Sequence, residues 1–349
     1  MTFTPPCLVA LVLAAGASAH AQQAAAPPSV ERLDPRLDAL VAPDAIPEVI
    51  ASGYEWAEGT QWVGDAEAGY LIWSDVRENR AHRWSAAEGA SVLVEPSGYT
   101  GAYFAGEEPG SNRLFLDAAG NLLLCQHGDR RIARMTAPLS DPRPEYETVV
   151  GFYDGKRLNS PNDVAWHSSG DLYFTDPPYG LPGGQAASSV KELDFQGVYR
   201  FRFADSTLTL LTDEIARPNG IAFTPAEDYL LVANSQSGEP VWRRYPVLAD
   251  GTLGAGEVFF DASALTPGPH GGVPDGMAMH SSGALFATGP GGVLVLSPEA
   301  EHLGTIHTGQ TTANCAFSPD ERTLYIAADS LIMRLPLAEA PASFPAERD

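Results

Sequence analysis

Residues 160–180 read SPNDVAWHSSGDLYFTDPPYG. Apolar VAW, a Ser-Gly turn and apolar LYF spell a β-hairpin. Asn162 and Asp163 stand just where its first strand begins. One such pair carries little weight, because Asn and Asp at a strand start commonly satisfy turn backbone groups. The frame, however, recurs. NGIAFTPAEDYLLV (219–232), DGMAMHSSGALFA (275–287), NRLFLDAAGNLLL (112–124), EGTQWVGDAEAGYLIW (58–73) and ANCAFSPDERTLYI (313–326) all fit it. Each has an opening position, an apolar run, a turn and a second apolar strand.

Frame starts at 58, 112, 162, 219, 275 and 313 are spaced by 54, 50, 57, 56 and 38 residues. Such repeats have room for about four strands apiece, the content of a propeller blade. GVYRFRF (197–203) and VLVLSP (293–298) supply third strands. An early strand near Pro47–Gly53 would complete the last blade and close the ring. The expected fold is all-β, a six-bladed propeller over 47–340, followed by a tail at 341–349. Helical architectures are disfavoured, because long apolar stripes of period 3.6 are missing from the sequence.

The opening position of the frame holds Glu58, Asn112, Asn162, Asn219, Asp275 and Ala313. Five of the six carry a side-chain oxygen. Inner strands of a propeller line its central channel, so equivalent residues converge near the axis. Oxygen ligands, two of them carboxylates, suit a hard divalent cation, Ca²⁺ ahead of Mg²⁺ or Zn²⁺. The second position is small at Gly59, Gly220 and Gly276, which lets backbones approach closely there.

Composition narrows the partners. The 349 residues carry a formal net charge of −23. No Lys/Arg cluster offers a nucleic-acid footprint, and anionic lipid surfaces are disfavoured too. Residues 1–21 resemble a secretory signal, with an apolar run from Leu8 to Ala15 and Ala19-His20-Ala21 as the cleavage pattern. The expectation is a periplasmic or secreted protein that loses Cys7 with its leader. Residues 22–46, rich in Ala and Pro, read as a linker with one helical turn. Cys125 and Cys315 fall in the second and sixth repeats, which are not neighbours, so two buried free thiols are expected.

EGTQW (58–62), CQHGDRR (125–131), LNSPNDVA (158–165), TDPPYG (175–180), RPNGIAF (217–223), PDGMAM (274–279) and TTANCAF (311–317) together resemble the gluconolactonase, senescence-marker protein and regucalcin family. The resemblance spans about 47–337. It implies one divalent cation in the channel, held by Glu58, Asn219 and Asp275. It implies that Asn162 meets substrate beside the metal, and that Asp275 is the catalytic acid residue of the family. Many members hydrolyse sugar lactones. The chain departs from the family at Thr60, where Pro is usual, and at Gln126, where an acid is common. Gln126 bears on the substrate sugar if it faces the pocket.

Lactone hydrolysis needs a cation to polarise the carbonyl and a carboxylate to activate water. Asp275 is the candidate base, and Asn112, Asn162, His127 and Tyr179 are candidate substrate contacts. Arg130 or Arg131 is expected to pair with surface acids. His167 and His280 are expected to face solvent at turns. Residues 181–197 form a candidate lid. G-x-S-x-G and H-E-x-x-H do not occur in the sequence. Two alternatives stay open: another ester or phosphotriester hydrolase on the same scaffold, or a non-catalytic Ca²⁺-binding propeller. The natural lactone and the oligomeric state are not encoded in any motif.

Overall fold

The computed structural model describes residue 1, residues 27–183, 187–265 and 271–339, and Phe344. The leader and its cleavage site, and part of the candidate lid, lie outside the described residues. The strands form a six-bladed propeller. Blades one to four are antiparallel sheets of four consecutive strands, spanning 57–94, 111–150, 164–212 and 218–261. Blade five (277–307) gains a fifth strand from Ser29–Arg32. Blade six (312–336) is completed by Glu48–Ser52, which pairs with Leu331–Pro336 and closes the ring. The third strands expected at 197–203 and 293–298 are Gly197–Arg202 and Gly292–Leu296.

Residues 22–46 are therefore more than a linker where they are described. Ser29–Arg32 is an edge strand, and Pro35–Ala39 is a 3₁₀ turn capped by Asp34. Leu37, Leu40 and Val41 are buried where blades five and six meet. That burial is what fixes the segment, and its Ala/Pro-rich composition hides it.

The core is distributed around the ring. Second strands such as Leu122–Gln126 and Leu172–Asp176 are buried along their whole length. Alternate side chains serve opposite neighbours. Leu122 and Leu124 pack towards blade one, while Leu123 and Cys125 pack towards blade three. Six apolar clusters fill the six interfaces between adjacent blades. Cys125 and Cys315 are buried free thiols.

The frame's hairpins turn at one equivalent residue. Gly120, Gly170 and Gly283 hold it in three blades with φ of 80°, 84° and 93°. Glu227 and Glu321 hold it in two others with φ of 55° and 54°. Both glutamates reach across to the preceding blade. Glu227 Oε1 accepts the Ser168 N–H at 2.8 Å, and Glu321 Oε1 accepts that of Ser281 at 2.9 Å. His280 thus departs from the expectation of exposure. It is 2% exposed, packs edge-on against Phe317, and lies 3.5 Å from Glu321. His167 is partly covered in the same way by Phe223 and Glu227. Arg131 pairs with Asp129 at 2.9 Å, and Arg130, though buried, lies 3.6 Å from the exposed acid Glu192. Arg130 donates to the carbonyls of Leu158 (2.8 Å) and Asn159 (3.2 Å).

Candidate functional site

Inner strands begin at one end of the propeller, and there the frame's opening residues meet. A cavity of about 260 Å³ is lined by Glu58, Asn112, Asn162, Asn219 and Asp275, five residues from five blades. Tyr179, Trp56, Arg77, Glu108, Arg217, Ser235 and Val273 complete its wall. Glu58, Asn112, Asn162 and Asn219 are at most 5% exposed. A larger cleft of about 540 Å³ lies at the far end of blades two and three, lined by Leu116, Trp166 and Phe203 among others. It is more apolar and contains none of the strand-start residues.

Close backbone packing makes the convergence possible. A Cβ at Gly59 would sit 2.0 Å from the Asn112 carbonyl, at Gly220 2.2 Å from the Asp275 carbonyl, and at Gly276 2.2 Å from Asn314 Nδ2. Gly59 also has φ of 60°. These three glycines let neighbouring inner strands close on each other beneath the cavity. The other second positions carry a polar floor. Arg113 Nη1 donates to Asn314 Oδ1 at 3.0 Å and its Nε lies 3.6 Å from Asp163 Oδ1. Asp163 also accepts the N–H groups of Val164 (2.8 Å) and Ile221 (3.3 Å).

The electrostatics of the cavity are strained. Burial, with Asp163 and Glu108 nearby, pushes the Glu58 carboxyl up to about 8, although the Gly59 N–H and the Asn112 amide donate to it. Burial and the charge of Glu58 hold Asp275 well above the carboxylate range, against a hydrogen bond from Asn219. Asp275 Oδ1 and Asn112 Oδ1 are shut from solvent without a hydrogen-bond partner. Two repelling buried carboxylates and two unpartnered oxygens on one cavity wall are the donor set a hard cation satisfies. Among the described residues no cluster of three His, Cys, Asp or Glu has ligand spacing. The candidate cradle is instead two carboxylates plus amide oxygens, and those residues fit the expected ion.

His127 and Gln126 sit behind the wall. His127 is fully buried, with Nδ1 3.2 Å from Glu108 Oε2 and Nε2 3.5 Å from Asn162 Nδ2. It backs two wall residues and does not itself line the cavity. Gln126 faces away, donating to Ser97 O at 2.9 Å and accepting from Arg131 at 2.7 Å. Of the candidate lid, Leu181 and Leu193 are buried and Val190 O accepts from Arg130.

Six wall residues escape the repeat frame. Trp56 and Arg217 stand two positions before Glu58 and Asn219, a spacing the frame could have exposed. Arg77, Glu108 and Val273 come from connections, and Ser235 follows a second strand. Arg77 lies over Trp56 at 5.5 Å, and Arg217 over Tyr179 at 5.7 Å. Ser235 accepts from Asn219 Nδ2 at 3.0 Å and donates to Pro274 O, joining blades four and five beside Asp275.

Residues 56–330 match the family model described as the SMP-30/Gluconolactonase/LRE-like region. The chain belongs to this family. A gluconolactonase from Zymomonas mobilis is 35% identical over 317 residues, covering 88% of this chain and 85% of that protein. A gluconolactonase structure from Xanthomonas campestris superposes with a TM-score of 0.75 at 30% identity, covering 90% of this chain and 99% of that one. A calcium-binding regucalcin from Agrobacterium tumefaciens shares the fold, with a TM-score of 0.63 at 19% identity over 86% of this chain and 97% of that one. The SMP-30/gluconolactonase match encloses every wall residue of the cavity.

Proposed function

We propose that the chain hydrolyses a sugar lactone to the open-chain acid, with a divalent cation as cofactor and Asp275 as base. The observation that carries this reading is the meeting of five strand-start side chains, two of them acids, in one cavity. Family membership and the gluconolactonase relatives support lactone hydrolysis. At about 260 Å³ the cavity lies below the roughly 300–1,000 Å³ of drug-sized sites, as a monosaccharide-sized ligand requires.

Glu58, Asn219 and Asp275 would hold the cation. When bound it supplies a Lewis acid for the lactone carbonyl and keeps both carboxyls ionised. Asp275 takes the proton of the attacking water with the carboxylate oxygen that the cation would leave free. It returns that proton to the ring oxygen as the acyl C–O bond breaks, leaving a hydroxyl and a carboxylic acid. Asn112 and Asn162 orient ring hydroxyls. Arg77 on Trp56 and Arg217 on Tyr179 offer guanidinium donors and aromatic faces to a hydroxylated ring. His127 steadies Asn162 and Glu108 from behind.

Asp275→Asn should lower kcat on glucono-δ-lactone by about 10²–10⁴-fold, the worth of a general base. Its melting temperature should not fall. Chelated wild-type protein should be inactive, and Ca²⁺ should restore it. Wild-type rates in Asp275→Asn would remove the assigned base. Preferential turnover of aryl esters or phosphotriesters would favour the other hydrolase reading. Export with cleavage after Ala21 belongs to the same proposal, motivated by the leader-like residues 1–21. A mature chain beginning at Gln22 by mass spectrometry would support it, and an uncleaved chain would oppose it.

A further inference from the structure

We propose that Asp75, Asp176 and Asn234 are positioning residues for this site, acting as clamps that fix Glu58, Asn162 and Asn219. The inference rests on the lactonase reading and deepens it. Each clamp is the last residue of its blade's second strand: Tyr70–Asp75, Leu172–Asp176 and Tyr229–Asn234. All three are at most 3% exposed. Asp176 Oδ2 accepts the Asn159 N–H and Oδ1 the Ser160 N–H, both at 2.8 Å. Asp75 grips the N–H groups of Glu55 and Trp56 in the same way, both at 3.1 Å. Asn234 Oδ1 accepts the Arg217 N–H at 3.1 Å.

The gripped amides always lie two or three residues before the site residue. They are 55 and 56 before Glu58, 159 and 160 before Asn162, and 217 before Asn219. The second strand is buried on both faces, so its end is a rigid anchor. The gripped segment is the irregular entry from the preceding blade. With so few bonds between grip and site, a shift at one displaces the other. Blade two reaches the same result through a relay. Gln126 holds Ser97 O, and Ser97 Oγ accepts the N–H of Ser111, the neighbour of Asn112. Blades five and six have Gly289 and Ala328 at this place, with no side-chain oxygen.

In blade three the grip is doubled. Asn159 Nδ2 donates to Asp176 O at 3.0 Å, and Ser160 Oγ accepts the Gly180 N–H at 3.0 Å. Segments 159–162 and 176–180 are thereby locked together, so Asn162 and Tyr179 are held as one unit. The clamps divide by duty. Asp75 serves a cation ligand, and Asp176 serves the substrate wall.

The test compares Asp75→Ala and Asp176→Ala with Asp75→Asn and Asp176→Asn in the full chain. Ca²⁺ affinity is read by calorimetry, kcat and KM on glucono-δ-lactone, and amide exchange at residues 55, 56, 159 and 160. Asp75→Ala should weaken Ca²⁺ binding by about 10–100-fold. Asp176→Ala should raise KM by about 10-fold or more with Ca²⁺ affinity within about twofold. Each Asn variant keeps one of the two acceptor oxygens and turns an NH2 towards the other gripped N–H, so it should recover part of the loss. Each Ala variant should lose amide protection only at its own pair. If both variants move both constants alike, or lower only the melting temperature, the clamps merely satisfy backbone and the inference is overturned. Should an Ala variant not fold, the Asn variants must show the same split at smaller size, and a missing split overturns the inference equally. Wild-type protein that neither binds Ca²⁺ nor opens the lactone sinks the functional reading instead. Amide exchange then decides the clamps alone, and unchanged protection at 159 and 160 in Asp176→Ala rejects them.

Discussion

Glu58 shows how the site trades stability for chemistry. Its carboxyl, raised to about 8 from an ordinary 4.5, is held there chiefly by burial. A carboxyl whose folded value is raised binds its proton more tightly in the fold than in the unfolded chain. The metal-free fold should therefore lose stability as pH rises from about 4.5 through about 8, and keep it below that window. Glu58→Gln removes the ionisable group and keeps the shape. At pH 8 it should stabilise the metal-free protein by on the order of 3 kcal/mol, while abolishing cation binding and turnover. Thermal unfolding in chelator from pH 5 to 8 checks this. A variant less stable than the parent at pH 8 would show that Glu58 is satisfied without an ion.

Inner strands do the placing, and their glycines set how closely they approach. Gly220→Ala would push a methyl carbon to 2.2 Å from the Asp275 carbonyl. Backbone cannot yield there as a flexible side chain would, so a loss of about 2–3 kcal/mol is expected, with weakened Ca²⁺ binding. Denaturant unfolding and calorimetry read the two effects, and a neutral substitution would mean the strands can part freely. The elements most legible in the sequence were these same strands. Their opening residues repeat in register, which is why Glu58, Asn112, Asn162, Asn219 and Asp275 are legible in the sequence. The strand ends Asp75, Asp176 and Asn234 recur in only three of the six blades, and the backbone N–H groups they accept from are not adjacent in sequence. Arg77, Glu108 and Val273 lie on connections of unequal length, where no frame aligns them. His127 misled by its place in CQHGDRR, because a motif gives a residue's neighbours and not the side of the wall it occupies. Ser29–Arg32 was hidden by composition, since pairing with blade five decides its structure and four residues alone show no period.

At the scale of the molecule, the ring makes the site possible. Five blades each bring one oxygen-bearing strand-start residue to the cavity, and no single sheet could gather five such groups around it. Glu48–Ser52, pairing with Leu331–Pro336, joins the two ends of the chain and so holds blades one and six together. Closure brings Glu58 of blade one opposite Asn219 and Asp275 of blades four and five, residues over 160 positions away in sequence. The central claim is that this closure builds a seat for one hard cation. The most direct measurement is a crystal structure of the protein grown with Ca²⁺. The account predicts a single ion bonded to oxygens of Glu58, Asn219 and Asp275. An ion elsewhere, with Glu58 and Asp275 sharing a proton instead, would contradict it.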